Sequence, residues 1–188
     1  MALTQDNRKI AVHTPLGKDK LILLYFSGKE SISDLFSFKL TMISEDHQIA
    51  FQDIIGKNVT ISVKLFDQNT RFINGIVSRF SQGKGIPYDD NRLEKPVVYA
   101  SYTAIVVPQF WLLTQTMNSK IFQNKTVDEI INEVLEKQVD HVEYYLQTYP
   151  VKEYCVQYQE SDFSFISRLL EEEGIYYYFK HEKKNIHW

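Results

Sequence analysis

The apolar residues of this chain change period at Thr126, and that change limits the possible folds more than any single motif. Over the first 107 residues they recur at every second position, in runs separated by turn signals. Phe36, Phe38, Leu40 and Met42 alternate with Ser37, Lys39 and Thr41, and Val59, Ile61, Val63 and Leu65 alternate within Asn58–Phe66. That period puts one set of side chains on each face of a sheet. Leu21–Ser27 is a continuous apolar run of strand length that Gly28 should end, and Val97–Val107 resumes strand character until Pro108 stops it. Asp67-Gln68-Asn69, between Asn58–Phe66 and Arg71–Phe80, predicts a hairpin turn. Gly75 within the second of these strands predicts a bulge or a close backbone approach. Ala50–Ile55, closed by Gly56, predicts a helical turn, and the polar, Gly- and Pro-bearing stretch Ser81–Pro96 a loop.

At Thr126 the period becomes helical. Thr126-Val127-Asp128-Glu129 reads as a capping box, and Val127, Ile130, Ile131, Val134 and Leu135 follow on one face, so a helix is expected over Val127–Lys137. His141–Tyr149 should be extended. Tyr154, Val156 and Tyr158 alternate with Cys155, Gln157 and Gln159 as a strand; Ser161 and Asp162 can cap a second helix; Phe163, Ile166, Leu169 and Leu170 supply its apolar face. Gly174 sits where a left-handed residue would close that helix, and Ile175–Phe179 reads as an aromatic strand. The unit expected is β-α-β, its helix buried through Phe163, Ile166 and Leu169 against Val156/Tyr158 and Tyr177/Phe179. The fold class is thus α+β and mainly β. An antiparallel β-barrel, with a sandwich as the alternative, should occupy residues 1–120, and an α/β segment with two helices residues 121–188.

A formal charge of −3 without a basic face argues against nucleic-acid binding, which needs clustered Lys and Arg. Residues 1–9 lack the apolar core of a signal peptide, and no apolar run approaches the roughly 18 residues of a membrane span, so folding in the cytosol is expected. The single cysteine, Cys155, forms no internal disulfide and should be a small buried strand residue.

Catalytic and metal chemistry finds little support. Gly83-Lys84-Gly85 lacks the Ser or Thr and the helix that a phosphate loop needs. His13, His47, His141, His181 and His187 have no ligand spacing, and Cys155 has no cysteine partner for zinc and no basic neighbour to activate it. Glu171, Glu172 and Glu173 oppose the dipole at a helix C-terminus, each at a cost of about 0.3–1 kcal/mol if exposed. Arg168, three and four residues before Glu171 and Glu172, is their expected partner, with a cation on the barrel or a neighbouring subunit as the alternative. Tyr176-Tyr177-Tyr178-Phe179 could be a packed sheet strand, a stacking platform or part of an interface. Arg71 and Arg79 alternate on one side of a strand with Ile73 and Val77, either solvated or facing acids at a contact. No catalytic, cofactor or metal residue is predicted.

Several ordered motifs carry a resemblance. Gln157-Tyr158-x-Glu160-Ser161-Asp162-Phe163-x-Phe165-Ile166-Ser167-Arg168-Leu169, then Glu171-Glu172-Glu173-Gly174-Ile175-Tyr176-Tyr177-Tyr178-Phe179 and His181, resembles the signature block of the VgrG spike proteins of bacterial type VI secretion. Arg71-Phe72-Ile73-Asn74-Gly75-Ile76-Val77, Pro108-x-Phe110-Trp111-Leu112-Leu113 and Ile121-Phe122-Gln123 before Thr126-Val127 are similar to further family motifs, the last as a helix entry. The motif residues carried over are Arg71, Phe72, Gly75, Pro108, Trp111, Tyr158, Glu160, Phe163, Arg168, Leu169, Glu172, Gly174, Tyr178, Phe179 and His181. The resemblance implies a phage tail hub-like structural protein without catalytic activity or cofactor. It also implies a homotrimer that docks on the hexameric Hcp tube, with effector or baseplate proteins as further partners. Such a protein is assembled in the cytoplasm and then translocated out of the cell during contractile injection. Family members run on into a second barrel and a β-helical needle, so the chain should be a truncated piece or a short paralogue. A phage or phage-like baseplate hub, and the non-catalytic hub of an effector-bearing spike, are the alternatives.

Overall fold

The computed structural model describes residues 3–67, 69–88, 97–136, 138–139, 142–145 and 147–183. Gln68 of the expected turn, residues 89–96 of the expected loop, Lys137, His141 and His187 lie outside them. The chain divides into two compact units. The first takes the described residues of Met1–Glu30, Phe36–Pro108 and Phe179–Trp188, and the second those of Ser31–Leu35 and Gln109–Tyr178.

The alternating runs of the first unit form β1 (Ile10–His13), β2 (Ile22–Lys29), β3 (Ser37–Ser44), β4 (Asn58–Lys64), β5 (Thr70–Gln82), β6 (Ile86–Tyr88) and β7 (Val97–Val107). All pairs are antiparallel, in the order β1-β4-β5-β7-β3-β2, with β6 beside β7. Phe38, Leu40 and Met42 of β3 and Ala100, Tyr102, Ala104 and Val106 of β7 turn inward onto Leu21, Leu23, Phe36 and Ile61. Tyr102 can lie fully buried because its hydroxyl donates to the Asp46 carbonyl at 2.8 Å while its ring stacks on Phe80 at 5.1 Å. Gly28 does not end β2, which runs on to Lys29. A short 3₁₀ turn over Phe51–Asp53 stands where the helical turn was expected.

The β4–β5 hairpin forms as read, but β5 is less regular than its sequence. Gly75 marks a close approach, not a bulge: a Cβ there would lie 2.5 Å from the Val107 carbonyl oxygen. The bulge falls at Ser78, where the register with β7 skips between Val77 and Arg79. It resets the alternation, so Val77 and Phe80 are buried while Arg79 is exposed opposite Ile105. Arg71 and Arg79 therefore do not share a face, which corrects the sequence reading. The expected loop also begins later than Ser81, since β5 continues to Gln82 and Ile86–Tyr88 pairs with Val97–Tyr99.

At the two ends of this sheet, β1 and β2 are joined by a side chain and not, among the described residues, by a backbone ladder. The buried Gln5 amide accepts from the N–H groups of Val12 and Leu23 and donates to the Val12 carbonyl, each at 3.0 Å. Arg8 adds a bond to the Leu23 carbonyl at 3.1 Å. Gln5 thus occupies the place where backbone pairing would close the sheet, and satisfies groups that would otherwise be buried unpaired.

In the second unit a 3₁₀ segment, Gln109–Thr114, leads into β8 (Met117–Lys125), α1 (Val127–Leu135), β9 (Lys152–Ser161) and α2 (Asp162–Glu172). The capping box of α1 is present, with the Thr126 N–H donating to Glu129 Oε2 at 2.9 Å. Ile121-Phe122-Gln123 is the middle of β8, paired antiparallel with β9, and leads into the helix entry at Thr126-Val127. Register sets the inward face: Phe122 lies opposite Cys155, and both are buried with Gln157. Tyr154 and Tyr158 consequently point outward, the reverse of the face predicted. The helix is rotated to match. Phe165, Ile166, Leu169 and Leu170 are buried, Phe165 stacking on Phe122 at 5.4 Å, whereas Phe163 is half-buried and edge-on to Phe110 at 5.8 Å.

The aromatic segment after α2 is not a strand, so no β-α-β unit forms. Its alternation survives without a ladder: Tyr176 and Tyr178 are exposed, and Tyr177 packs against the second unit's core. The Tyr177 backbone meets Ser33, accepting from its N–H at 2.9 Å and donating to its Oγ at 3.4 Å. β9 takes its partner from β8, which leaves this segment outside the sheet.

Candidate functional site

The signature block supplies residues to three polar clusters. The first sits at the start of α2. Ser161 caps the helix, its Oγ accepting from the Ser164 N–H at 3.0 Å. Asp162, the next residue, is buried and receives four side-chain donors from three other segments. Gln157 Nε2 (2.8 Å) and Asn118 Nδ2 (2.9 Å) donate to Oδ1, and Thr116 Oγ1 (2.7 Å), Asn118 Nδ2 (3.1 Å) and Gln138 Nε2 (3.2 Å) to Oδ2. Burial raises the carboxyl pKa, but the bonds from Gln157, Asn118 and Thr116 outweigh it and hold the group below the ordinary carboxylate value. The carboxylate binds β8, the end of α1, β9 and α2 to one point. Its partners lie 5 to 46 positions away in sequence, too scattered for any motif to reveal them.

The second cluster lies along the exposed side of α2. Arg168 donates to Glu160 Oε1 at 2.7 Å, to the Val156 carbonyl at 3.2 Å and to Glu172 Oε1 at 3.4 Å, with its guanidinium 5.5 Å from the Phe165 ring centroid. These bonds, led by that to Glu160, raise its pKa further. Lys152 of β9 reaches Glu173 at 2.7 Å and Glu172 at 3.8 Å, so the acids at the C-terminal end of the helix have two cations where the sequence suggested one. Gly174 adopts φ +67° and closes the helix as predicted. Next to it, burial and then the Asp34 and Glu171 carboxylates push the Tyr177 phenol up to about 12. Cys155 lies under this helix, its thiol pushed up by burial, as a structural cysteine should be.

The third cluster belongs to the first unit and surrounds His181. Nδ1 accepts from the Asn74 N–H at 3.0 Å, which makes Nε2 the protonated nitrogen of the neutral ring, and Nε2 meets Glu30 Oε1 at 2.9 Å. Glu30 Oε2 also pairs with Arg71 at 3.4 Å, and the Glu182 N–H donates to Asn74 Oδ1 at 2.9 Å. The His181 ring lies 5.1 Å from Phe36, and Phe179 stands edge-on to Phe36 at 5.2 Å. The family motifs pointed to Arg71, Phe179 and His181, whereas Glu30, Asn74 and Phe36 were not singled out.

Of the other motif residues, Phe72 is half-buried in β5, Pro108 is buried after β7, and Trp111 is half-buried, its carbonyl accepting from Thr114 Oγ1 at 2.8 Å. Leu169 is in the core, and Tyr158 and Tyr178 are exposed. Among the described residues no group of three or more His, Cys, Asp or Glu comes together as metal ligands, and no helix is long and apolar enough to cross a membrane.

A β-rich unit carrying an antiparallel sheet, followed by a helix-clamped two-stranded unit with these motifs, defines a tail-hub protein. Residues 29–187 match the phage tail baseplate hub (GPD) family, and the chain belongs to it. More particularly, it is a homologue of type VI secretion system spike proteins. It is 40% identical over 182 residues to VgrG1a of Pseudomonas aeruginosa, covering 96% of this chain and 27% of that protein. To VgrG1b of the same organism it is 38% identical over 185 residues, covering 97% and 24%. The chain thus spans about a quarter of the length of these curated relatives. Among solved structures it is similar to an E. coli component of the type VI secretion system described as structurally similar to the bacteriophage T4 tail proteins gp27 and gp5. There the TM-score is 0.71 at 25% identity, over 93% of this chain and 46% of that one.

Proposed function

We propose that this chain is the tail-hub part of a type VI secretion spike, a structural docking component and not a catalyst. It assembles in the cytoplasm as a homotrimer, sits on the hexameric Hcp tube and leaves the cell with the puncturing needle when the machine contracts. The observation that carries this reading is the 40% identity to a spike protein over 96% of the chain. The three clusters support it: their charged groups are spent on bonds between elements, as suits a rigid part. In this reading residues 1–120 act as a barrel whose seam Gln5 closes, residues 121–188 open a second domain, and the motif residues from Arg71 to His181 are scaffold. Effector or baseplate proteins are the further partners. The mass in solution, measured by light scattering alone and with the cognate Hcp hexamer, tests it. A trimer or a complex with the hexamer is expected; a monomer that ignores Hcp would refute docking within these residues. The family match favours one second reading, a phage-like baseplate hub, which neighbouring genes for phage structural proteins in place of the type VI ATPase would identify.

A further inference from the structure

The turn between β4 and β5 carries two apolar residues beside its turn-forming Asp67 and Asn69. Turns favour Gly, Asn, Asp and Ser, yet Leu65 and Phe66 stand at this one, Phe66 fully exposed and Leu65 partly so. Neither contributes to the core, so burial within this chain does not explain them. The described residues of the turn are hydrogen-bonded to one another. The Leu65 N–H donates to the Asn69 carbonyl at 2.8 Å, and the Asp67 carboxylate accepts from the Asn69 N–H at 3.0 Å and from Asn69 Nδ2 at 2.7 Å. Lys9 places its ammonium 5.3 Å from the Phe66 ring centroid, and its carbonyl accepts from the Lys64 N–H at 2.8 Å. Lys64 extends its own ammonium to the Asp6 carbonyl at 3.0 Å. The apex therefore presents an aromatic ring with the Lys9 ammonium beside it and the Asp67 carboxylate turned into the loop.

We infer that this hairpin tip is a preformed anchor for a protein partner, with Phe66 entering an apolar pocket whose rim carries carboxylates. Aromatic side chains that become fully desolvated dominate binding energy, and a tip already held by its own hydrogen bonds has little ordering entropy left to lose. Lys9, over the Phe66 ring, supplies the charge that acids on the rim would complement. The inference rests on the docking role proposed above and names the element that carries it.

The test measures affinity of the whole chain for the purified cognate Hcp hexamer, comparing the wild type with Phe66→Ser, Phe66→Leu and Lys9→Gln. Phe66→Ser should weaken binding about tenfold or more, and Phe66→Leu much less. Lys9→Gln should flatten the salt dependence. Melting temperature should stay unchanged in all three, because the ring is outside the core. If Phe66→Ser binds the hexamer as the wild type does, the anchor is refuted and the docking role stands. If the wild type does not bind the hexamer, both fall. Loss of sedimentation with anionic lipid vesicles on Phe66→Ser, at unchanged hexamer binding, would overturn the protein partner in favour of a membrane surface.

Discussion

Replacing Asp162 by Asn keeps the shape of the buried node and removes its charge. At Oδ1 the bonds from Gln157 and Asn118 persist but become neutral ones, and charge-assisted hydrogen bonds exceed neutral ones by about 1 kcal/mol each. At Oδ2 the new amide NH₂ meets donors: Thr116 can turn its hydroxyl to accept, while Asn118 and Gln138 must shift or lose a partner. With about 1 kcal/mol for that mismatch, the expected loss at pH 7 is about 2–4 kcal/mol. The sign of the pH dependence follows from the folded pKa lying below that of the unfolded chain. The stabilisation is fully present above the unfolded carboxyl value, about 3.9, and is lost as pH falls through the folded value. Urea unfolding of both proteins at pH 7 and near pH 3 measures this, with the difference between them shrinking at the lower pH. Equal stability at pH 7, or a difference that persists undiminished in acid, would show that the charge of Asp162 does not hold the node together.

The rotated face of α2 makes Phe165→Ala cost about 3–5 kcal/mol and Phe163→Ala clearly less; thermal or urea unfolding that ranked them the other way would restore the face read from sequence. Gln5→Ala removes three bonds to β1 and β2 and should cost about 2–4 kcal/mol, with faster amide hydrogen exchange at Val12 and Leu23. Gly174 has open space around a would-be Cβ but φ +67°, so Gly174→Val should cost about 1–3 kcal/mol through backbone strain and Gly174→Asn much less, as measured by melting.

The elements legible in the sequence were those whose burial is one-sided and regular. Strands β3, β4 and β7 and helices α1 and α2 each bury one periodic face. β1 and β8 were missed because they are short or polar: β8, Met117–Lys125, buries only Phe122. Ile175–Phe179 misled in the opposite direction, because its alternation arises from packing Tyr177 inward without any neighbouring strand to pair with. The face of β9 turned on register, which pairs Cys155 with Phe122, and the face of β5 on a bulge at Ser78; period-two reading sees neither. The candidate clusters were half legible. Arg168 with Glu172 is a local helix pair, whereas Asp162 with Thr116 and His181 with Glu30 join residues that only the tertiary fold brings together.

The Gln5 clasp gives the first unit a mechanical weak line. Elsewhere neighbouring strands share ladders that run the length of their overlap, so a load across the sheet is divided among many bonds. At the β1–β2 seam the same load falls, among the described residues, on one amide and the Arg8 guanidinium, both on the irregular stretch before β1. Pulled across its strands, the unit would part first along that line, and the residues ahead of Ile10 would set the force at which it does.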